Sequence, residues 1–255
     1  MATTTGTINT ITATLSDIIK DALQDLRQLS DGGLPSAGDT TDCTRKINYL
    51  LKKWAIKGQL LWCLDTLALP CVTSKTSYTI GPVGADLISY RPLRVLNGSF
   101  IRLVTAGLPY DTPLIILSRL EYAQEGAKGA PGIVNSIYYD PQMTQAPNVA
   151  YNPANAAGVL YVFVTPVDAT RTIYLKVQRP IQDISAVGDT FDLPLEWYEA
   201  LTKNLSAAIA DKYEVPEDRI RRIKQEAKEA LAEIVDWGAT EQATMYFQPD
   251  YQHYG

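Results

Sequence analysis

Residues 158–178 read GVLYVFVTPVDATRTIYLKVQ, and the fold is decided by how this stretch is read. Gly158 to Thr165 is apolar almost throughout, the pattern of a strand covered on both faces. Arg171 to Gln178 alternates instead, with Ile173, Leu175 and Val177 expected inward and Tyr174, Lys176 and Gln178 outward. Asp168 sits in the short connection, so the two strands are expected to form a hairpin. Upstream, the β pattern continues in weaker pieces. Thr73 to Ile80 reads as a hairpin turning near Ser74-Lys75. Leu93 to Val104 reads as two strand pieces about Asn97-Gly98, a favoured hairpin turn. Leu114 to Leu117 and Asn135 to Asp140 read as further strands. Ser118 to Gln124 suits a short helix, with Ser118 as cap and Glu121 at its third position. Gly126 to Gly132 reads as loop, and Pro141 to Ala157 as an irregular stretch broken by prolines.

Outside this central region the period changes to that of helices. From Ser16, residues Ile19, Ala22, Leu23, Leu26 and Leu29 recur at three and four positions, with Ser16 and Asp17 suited to the helix start. Asp31 to Thr40 reads as a loop. A second helix is predicted over Thr41 to Lys57, with Ile47, Leu50, Leu51 and Trp54 buried and Gly58 ending it. The short connection suggests an antiparallel pair. Asp192-Leu193-Pro194 is expected to open a third helix, with the proline in its first turn and Trp197, Leu201, Leu205, Ala208 and Ile209 inward. Glu214 to Glu217 breaks it. A last helix runs to about Asp236, with Ile220, Ile223, Ala227, Ala230, Leu231, Ile234 and Val235 on one face and Gly238 at its end. Helices, strands and helices in succession imply an α+β fold. We expect a helical bundle built from the N- and C-terminal helices (15–62 plus 192–238) with an inserted antiparallel β domain (63–191). Residues 1–14 read as a flexible arm and 239–255 as an extended one.

Charge and chemistry narrow the function. The 23 basic and 28 acidic residues give a net charge of −5, with no basic excess for gripping a nucleic-acid backbone. A mildly acidic wall would still let DNA slide past it. The N-terminal residues lack the pattern of a signal peptide, and no stretch is long and apolar enough for a membrane span, so assembly in a cytoplasm is expected. Cys43, Cys63 and Cys71 lack zinc-site spacing, and Cys43 and Cys63 read as small core residues. The one histidine, His253, is the third residue from the end of the sequence, a poor place to hold a catalytic base. No phosphate loop or dinucleotide fingerprint is present. Asp111, Glu121, Glu125 and Asp140 fall in the β region without forming a marked pair. No enzyme activity, metal or cofactor is expected.

Two features stand out as partner-binding candidates. The last helix carries Arg219, Arg221, Arg222, Lys224 and Lys228, of which Arg221, Lys224 and Lys228 share a face. That face suits solvent, an acidic partner surface, or DNA passing nearby. The segment after it is dense in aromatics, with Tyr246, Phe247, Tyr251 and Tyr254, which would serve as anchors on a neighbouring surface.

The order of several motifs resembles the head-to-tail adaptors of short-tailed bacteriophages, also called tail accessory factors or packaged-DNA-stabilising proteins. The front carries Leu50-Leu51-Lys52-Lys53-Trp54 and then Gly58. The middle carries Ser77-Tyr78-Thr79-Ile80-Gly81-Pro82 followed by Arg91-Pro92. The back carries Leu193-Pro194, Trp197-Tyr198, Ala200-Leu201, Asn204-Leu205 and Tyr213. The likeness covers Leu15 to Trp237. It implies a structural virion protein of the tail or neck that docks under the portal protein as a ring, typically a dodecamer. Such a ring extends the DNA channel and links the head to the next tail component, a nozzle or tail tube. DNA would pass through without sequence recognition. The alternatives are a carbohydrate-binding β module, suggested by tyrosines in the β region, another neck or tail-completion protein, and, ranked lower, a glycosidase or lytic enzyme acting on cell wall.

Overall fold

The computed structural model describes residues 13–30, 32–57, 61–144 and 156–241. The fold is α+β. The chain forms two compact units, one of residues 1–56 with 182–255 and one of residues 57–181.

The first unit is helical. Helices α1 (Leu15–Asp25) and α2 (Ala37–Lys57) come from the front of the chain, and α4 (Trp197–Ile209) and α5 (Glu217–Glu241) from its back. Helix α1 starts one residue earlier than expected because Thr14, not Ser16, is its cap: Thr14 and Asp17 form a reciprocal capping box. Helix α2 begins four residues earlier than expected. Ser36 Oγ accepts from the Asp39 amide at 3.1 Å and donates to the Asp39 carboxylate at 2.7 Å, which caps the helix before Thr41 is reached. The sequence suggests that α1 pairs with α2, but the close backbone approaches are α1 with α4 and α4 with α5. Small residues allow them. Ser206 Oγ donates to the Ala22 carbonyl at 3.3 Å, and Asn204 Nδ2 to the Ala227 carbonyl at 3.0 Å. The inward stripe of α4 therefore includes Ser206, and Ala208 faces solvent instead. Helix α2 joins this core through Cys43, Ile47, Leu51 and Trp54, with the Trp54 ring 5.6 Å from that of Trp197. Helix α5 continues through Gly238 to Glu241, so that glycine is not its end.

The second unit is built on two main sheets. In chain order its elements are β1 (Leu64–Pro70), β2 (Ser77–Gly81), β3 (Leu87–Ile88), β4 (Arg94–Thr105), β5 (Leu108–Pro113), β6 (Ile115–Ile116), α3 (Arg119–Gln124), β7 (Pro131–Gly132), β8 (Ser136–Thr144), β9 (Ala157–Phe163), β10 (Thr165–Pro166) and β11 (Arg171–Gln178). One sheet has the order β1-β11-β4-β5 and the other β3-β2-β9-β8-β6, while β7 and β10 form a small parallel pair. Leu69, Ile101, Ile173 and Leu175 from the first sheet share one core with Tyr78, Ile80, Ile137 and Leu160 from the second.

This topology overturns three local readings. Strands β9 and β11 are not a hairpin: β9 lies between β2 and β8, and β11 between β1 and β4. Strand β2 does not fold back on β1 either, since the two belong to different sheets. Asn97-Gly98 is a bulge inside the continuous strand β4, where the register slips against β11 between Tyr174 and Lys176. The hairpin turn lies at Ala106-Gly107, whose φ angles of 51° and 80° suit the turn that matches strand twist. Gln178, expected outward, is wholly buried, and its side-chain carbonyl accepts from Arg94 Nε at 2.6 Å. The stretch expected to be irregular from Pro141 starts instead as strand, since β8 runs to Thr144. Helix α3 has the expected Ser118/Glu121 capping box.

The edges of the first sheet are guarded. Strand β5 is exposed along its whole length. The Leu114 amide donates inward to the Ser99 carbonyl, so the alternating positions 109, 111 and 113 face away from β4. Two of these three are prolines, which have no N–H to offer. At the other edge the Thr66 amide donates to the Asp65 carboxylate at 2.6 Å.

Candidate interaction surfaces

Helix α5 places the sequence-predicted bases on the outside of the helical unit. The side chains of Arg221, Arg222 and Lys224 are 75%, 66% and 53% exposed, and each has a nearby acidic group. Arg221 reaches Glu217 at 3.5 Å, Arg222 reaches Glu226 at 3.5 Å, and Lys224 reaches Asp211 at 3.5 Å. Lys228 is exposed and makes no ion pair among the described residues. Exposed pairs of this kind contribute at most about 1 kcal/mol, so they exchange readily for a partner's carboxylates. Arg219 behaves differently. It turns inward, and its guanidinium donates to the Asp25 carbonyl, tying α5 to the end of α1. Tyr246, Phe247, Tyr251 and Tyr254, like His253 and Gly58, lie outside the described residues.

A polar network that sequence reading missed joins α2 to the turn after α4. Asp39 accepts from the Tyr213 hydroxyl, from Ser36 and from Lys212 at 3.3 Å, while Lys212 also reaches Asp42 at 2.8 Å. The Tyr213 hydrogen bond, and then that of Ser36, hold the Asp39 carboxyl below the usual carboxylate range. Burial, followed by the bond to Asp39, pushes the Tyr213 hydroxyl up to about 12. A depressed acid stabilises the folded state above its unfolded pKa, and that contribution is lost as pH falls through the folded value. Asp39→Asn is therefore expected to lower the melting temperature at pH 7. The gap from the parent should begin to narrow as pH falls below about 4, the unfolded value, and close only once pH has passed through the lower folded value, where the parent carboxylate is protonated as well. Thermal melts across pH 3–7 check this, and a constant gap would contradict the ionic origin.

Beside this network lies a cleft of about 650 Å³, lined by Thr41, Thr44, Asn48, Tyr49 and Lys52 of α2 and by Asp183, Ser185 and Val187. Asn48 fixes its floor by a two-way clamp, donating to the Ile184 carbonyl at 2.8 Å and accepting from the Ile184 amide at 3.0 Å. The cleft is open, and its Tyr49 is 63% exposed.

The β unit carries two aromatic clusters. Tyr122, Tyr138 and Tyr161 stand within 5.7 Å of one another by ring centroid, with Lys128 Nζ 5.2 Å from the Tyr122 centroid. Phe100 and Tyr174 stack at 5.0 Å beneath the Arg102 guanidinium. Arg102 binds Asp111 through two contacts of 2.6 and 2.7 Å, and that bond holds the Asp111 carboxyl low. Hydrogen bonds from Ser118 hold Glu121 low as well. Both carboxylates are thus kept ionised, the opposite of what a general acid needs. Among the described residues no group of three His, Cys, Asp or Glu side chains is placed to hold a metal. Cys43, Cys63 and Cys71 are buried free thiols. No described helix is long and apolar enough to cross a membrane.

The sequence matches no protein-family model, and no curated protein is significantly similar to it.

Proposed function

We propose that this chain is a structural adaptor of a short-tailed bacteriophage particle, one subunit of a ring that docks under the portal protein. The observation that carries the reading is the path of the chain. It leaves a helical unit near residue 56 and returns to it near residue 182, having formed a sheet-rich unit between. In this reading the helical unit is a bundle made from both ends of the chain, and the β unit is an inserted antiparallel domain. The bundle meets the portal, and the β unit faces the next tail component. The net charge of −5 suits a channel wall past which DNA slides. The exposed bases Arg221, Arg222, Lys224 and Lys228, together with the aromatics that follow α5, supply the portal contact.

The test is electron microscopy of the purified chain mixed with the portal protein of the same genome. The expected result is a ring seated on the portal, and no association at any salt concentration would reject the reading. Removal of residues 242–255 leaves α5 whole and is expected to weaken portal binding at least tenfold, with melting unchanged. Titration by light scattering checks this, and unaltered binding would remove the aromatic segment from the contact.

The three-tyrosine cluster favours a second reading, a carbohydrate-binding module. Its rings stack mainly on one another, which leaves less face for a sugar. A glycan array with Tyr138→Ala as control decides the matter.

A further inference from the structure

Among the described residues, two helix faces of the helical unit carry exposed side chains, and they are opposite in charge. From Arg45 to Ile56, α2 carries four bases and no carboxylate. Lys46, Tyr49, Lys53 and Ile56 follow at steps of three and four, so they line one side of the helix. Both lysines are exposed, and Tyr49 and Ile56 are 63% and 78% exposed. Large apolar side chains flanked by cations in this way suit contact with a partner whose apolar side chains are flanked by carboxylates.

The second face lies on α5. Helix α4 has 13 residues and α5 has 25, so at 1.5 Å per residue α5 is longer by about 18 Å. The apolar stripe does not stop where cover does. Ile223 and Ala227 are buried, Leu231 and Ile234 are only half-buried, and Val235 is 48% exposed. From Glu229 to Asp236 this segment carries three carboxylates and no base. Glu229, Glu233 and Asp236 are all exposed and stand at steps of four and three along one edge of the stripe.

We infer that the distal face of α5 docks on the α2 face of a second copy of this chain. Lys46 to Lys53 and Glu229 to Asp236 are each separated by seven helical steps, so the two charged rows match in length at about 10 Å. The apolar rows, Tyr49 with Ile56 and Leu231 with Val235, close against each other between them. The two faces differ, so the contact is head-to-tail, and repetition of one such contact gives a ring when the rotation closes. The inference names the self-contact of the ring proposed above and rests on that reading only for the closure of the ring.

Two charge-reversed full-length chains test it, K46E/K53E and E229K/E233K. All four sites are exposed, and circular dichroism melts verify that both variants fold. By sedimentation velocity the parent is expected to associate with rising concentration, and less so in high salt. Each variant alone is expected to associate about 100-fold more weakly, because like charges then face each other. An equimolar mixture is expected to regain association. There the reversed α2 meets a reversed α5, and the unchanged α2 meets an unchanged α5. A parent that stays monomeric up to ~1 mM, variants that associate as the parent does, or a mixture that stays apart would each overturn the contact. Self-association without portal binding would reject the adaptor and keep the contact. Portal binding by chains that never self-associate would do the reverse.

Discussion

Replacing Gly158 by alanine is expected to destabilise the β unit by about 3–4 kcal/mol, from overpacking together with a strained buried hydrogen bond. Gly158 lies in β9, opposite Ile80 of β2. A Cβ there would stand 2.2 Å from the hydroxyl oxygen of Tyr139 and 2.6 Å from its ring carbon Cζ. The ring has little room to retreat. Tyr139 is 8% exposed, and its hydroxyl donates to the Pro92 carbonyl at 2.8 Å. Relief requires either a shift of β9 or loss of that bond. Urea unfolding followed by fluorescence reads the change. Adding Tyr139→Phe removes the closest atom but not the ring carbon, so the double variant should lose less than the sum of the singles. A loss under about 1 kcal/mol for Gly158→Ala would mean that the ring moves freely.

Leu205→Ala should cost the helical unit about 3–4 kcal/mol, the usual range for a fully enclosed leucine whose cavity does not collapse. Leu205 has no exposed surface and sits on the buried side of α4, the helix against which both α1 and α5 pack. Since α1 comes from the front of the chain and α5 from the back, loosening α4 should release both. Hydrogen exchange is expected to rise in 15–25 and 217–241 and to stay unchanged in the strands of the β unit. Even loss of protection across both units would mean that they unfold as one.

What the sequence disclosed was local. The helical period placed most of the buried stripes of α1 and α2, although Leu50 is only half-buried and Leu29 lies past the end of α1, and a serine followed three residues later by glutamate placed α3. Strand identity was equally readable in β9 and β11, where apolar runs and alternation stand out. Pairing was not, because it depends on residues far apart in the chain. Two adjacent strands joined by a short loop look like a hairpin whether they pair or, as here, enter different sheets. Asn97-Gly98 misled for a related reason. Gly98 does adopt a positive φ of 91°, but a bulge uses that freedom as well as a turn does. Gln178 defied alternation because a buried glutamine is tolerable only with a partner, and Arg94 lies 84 positions away. The basic face of α5 was legible as spacing. The Asp39–Lys212–Tyr213 network was not, since its members come from opposite ends of the chain.

The two prolines of β5 have a consequence for how copies of this chain add to one another. A sheet edge with free amides accepts another strand, and that strand then presents the same edge again, so growth has no natural end and leads to fibres. With Pro109 and Pro113 facing outward, an incoming strand finds one amide, that of Asp111, beside an ionised carboxylate. Edge-to-edge extension of this sheet at β5 is thereby discouraged even at high local concentration. At this edge association is left to side-chain surfaces, and the angle between such surfaces can bring the last copy back to the first.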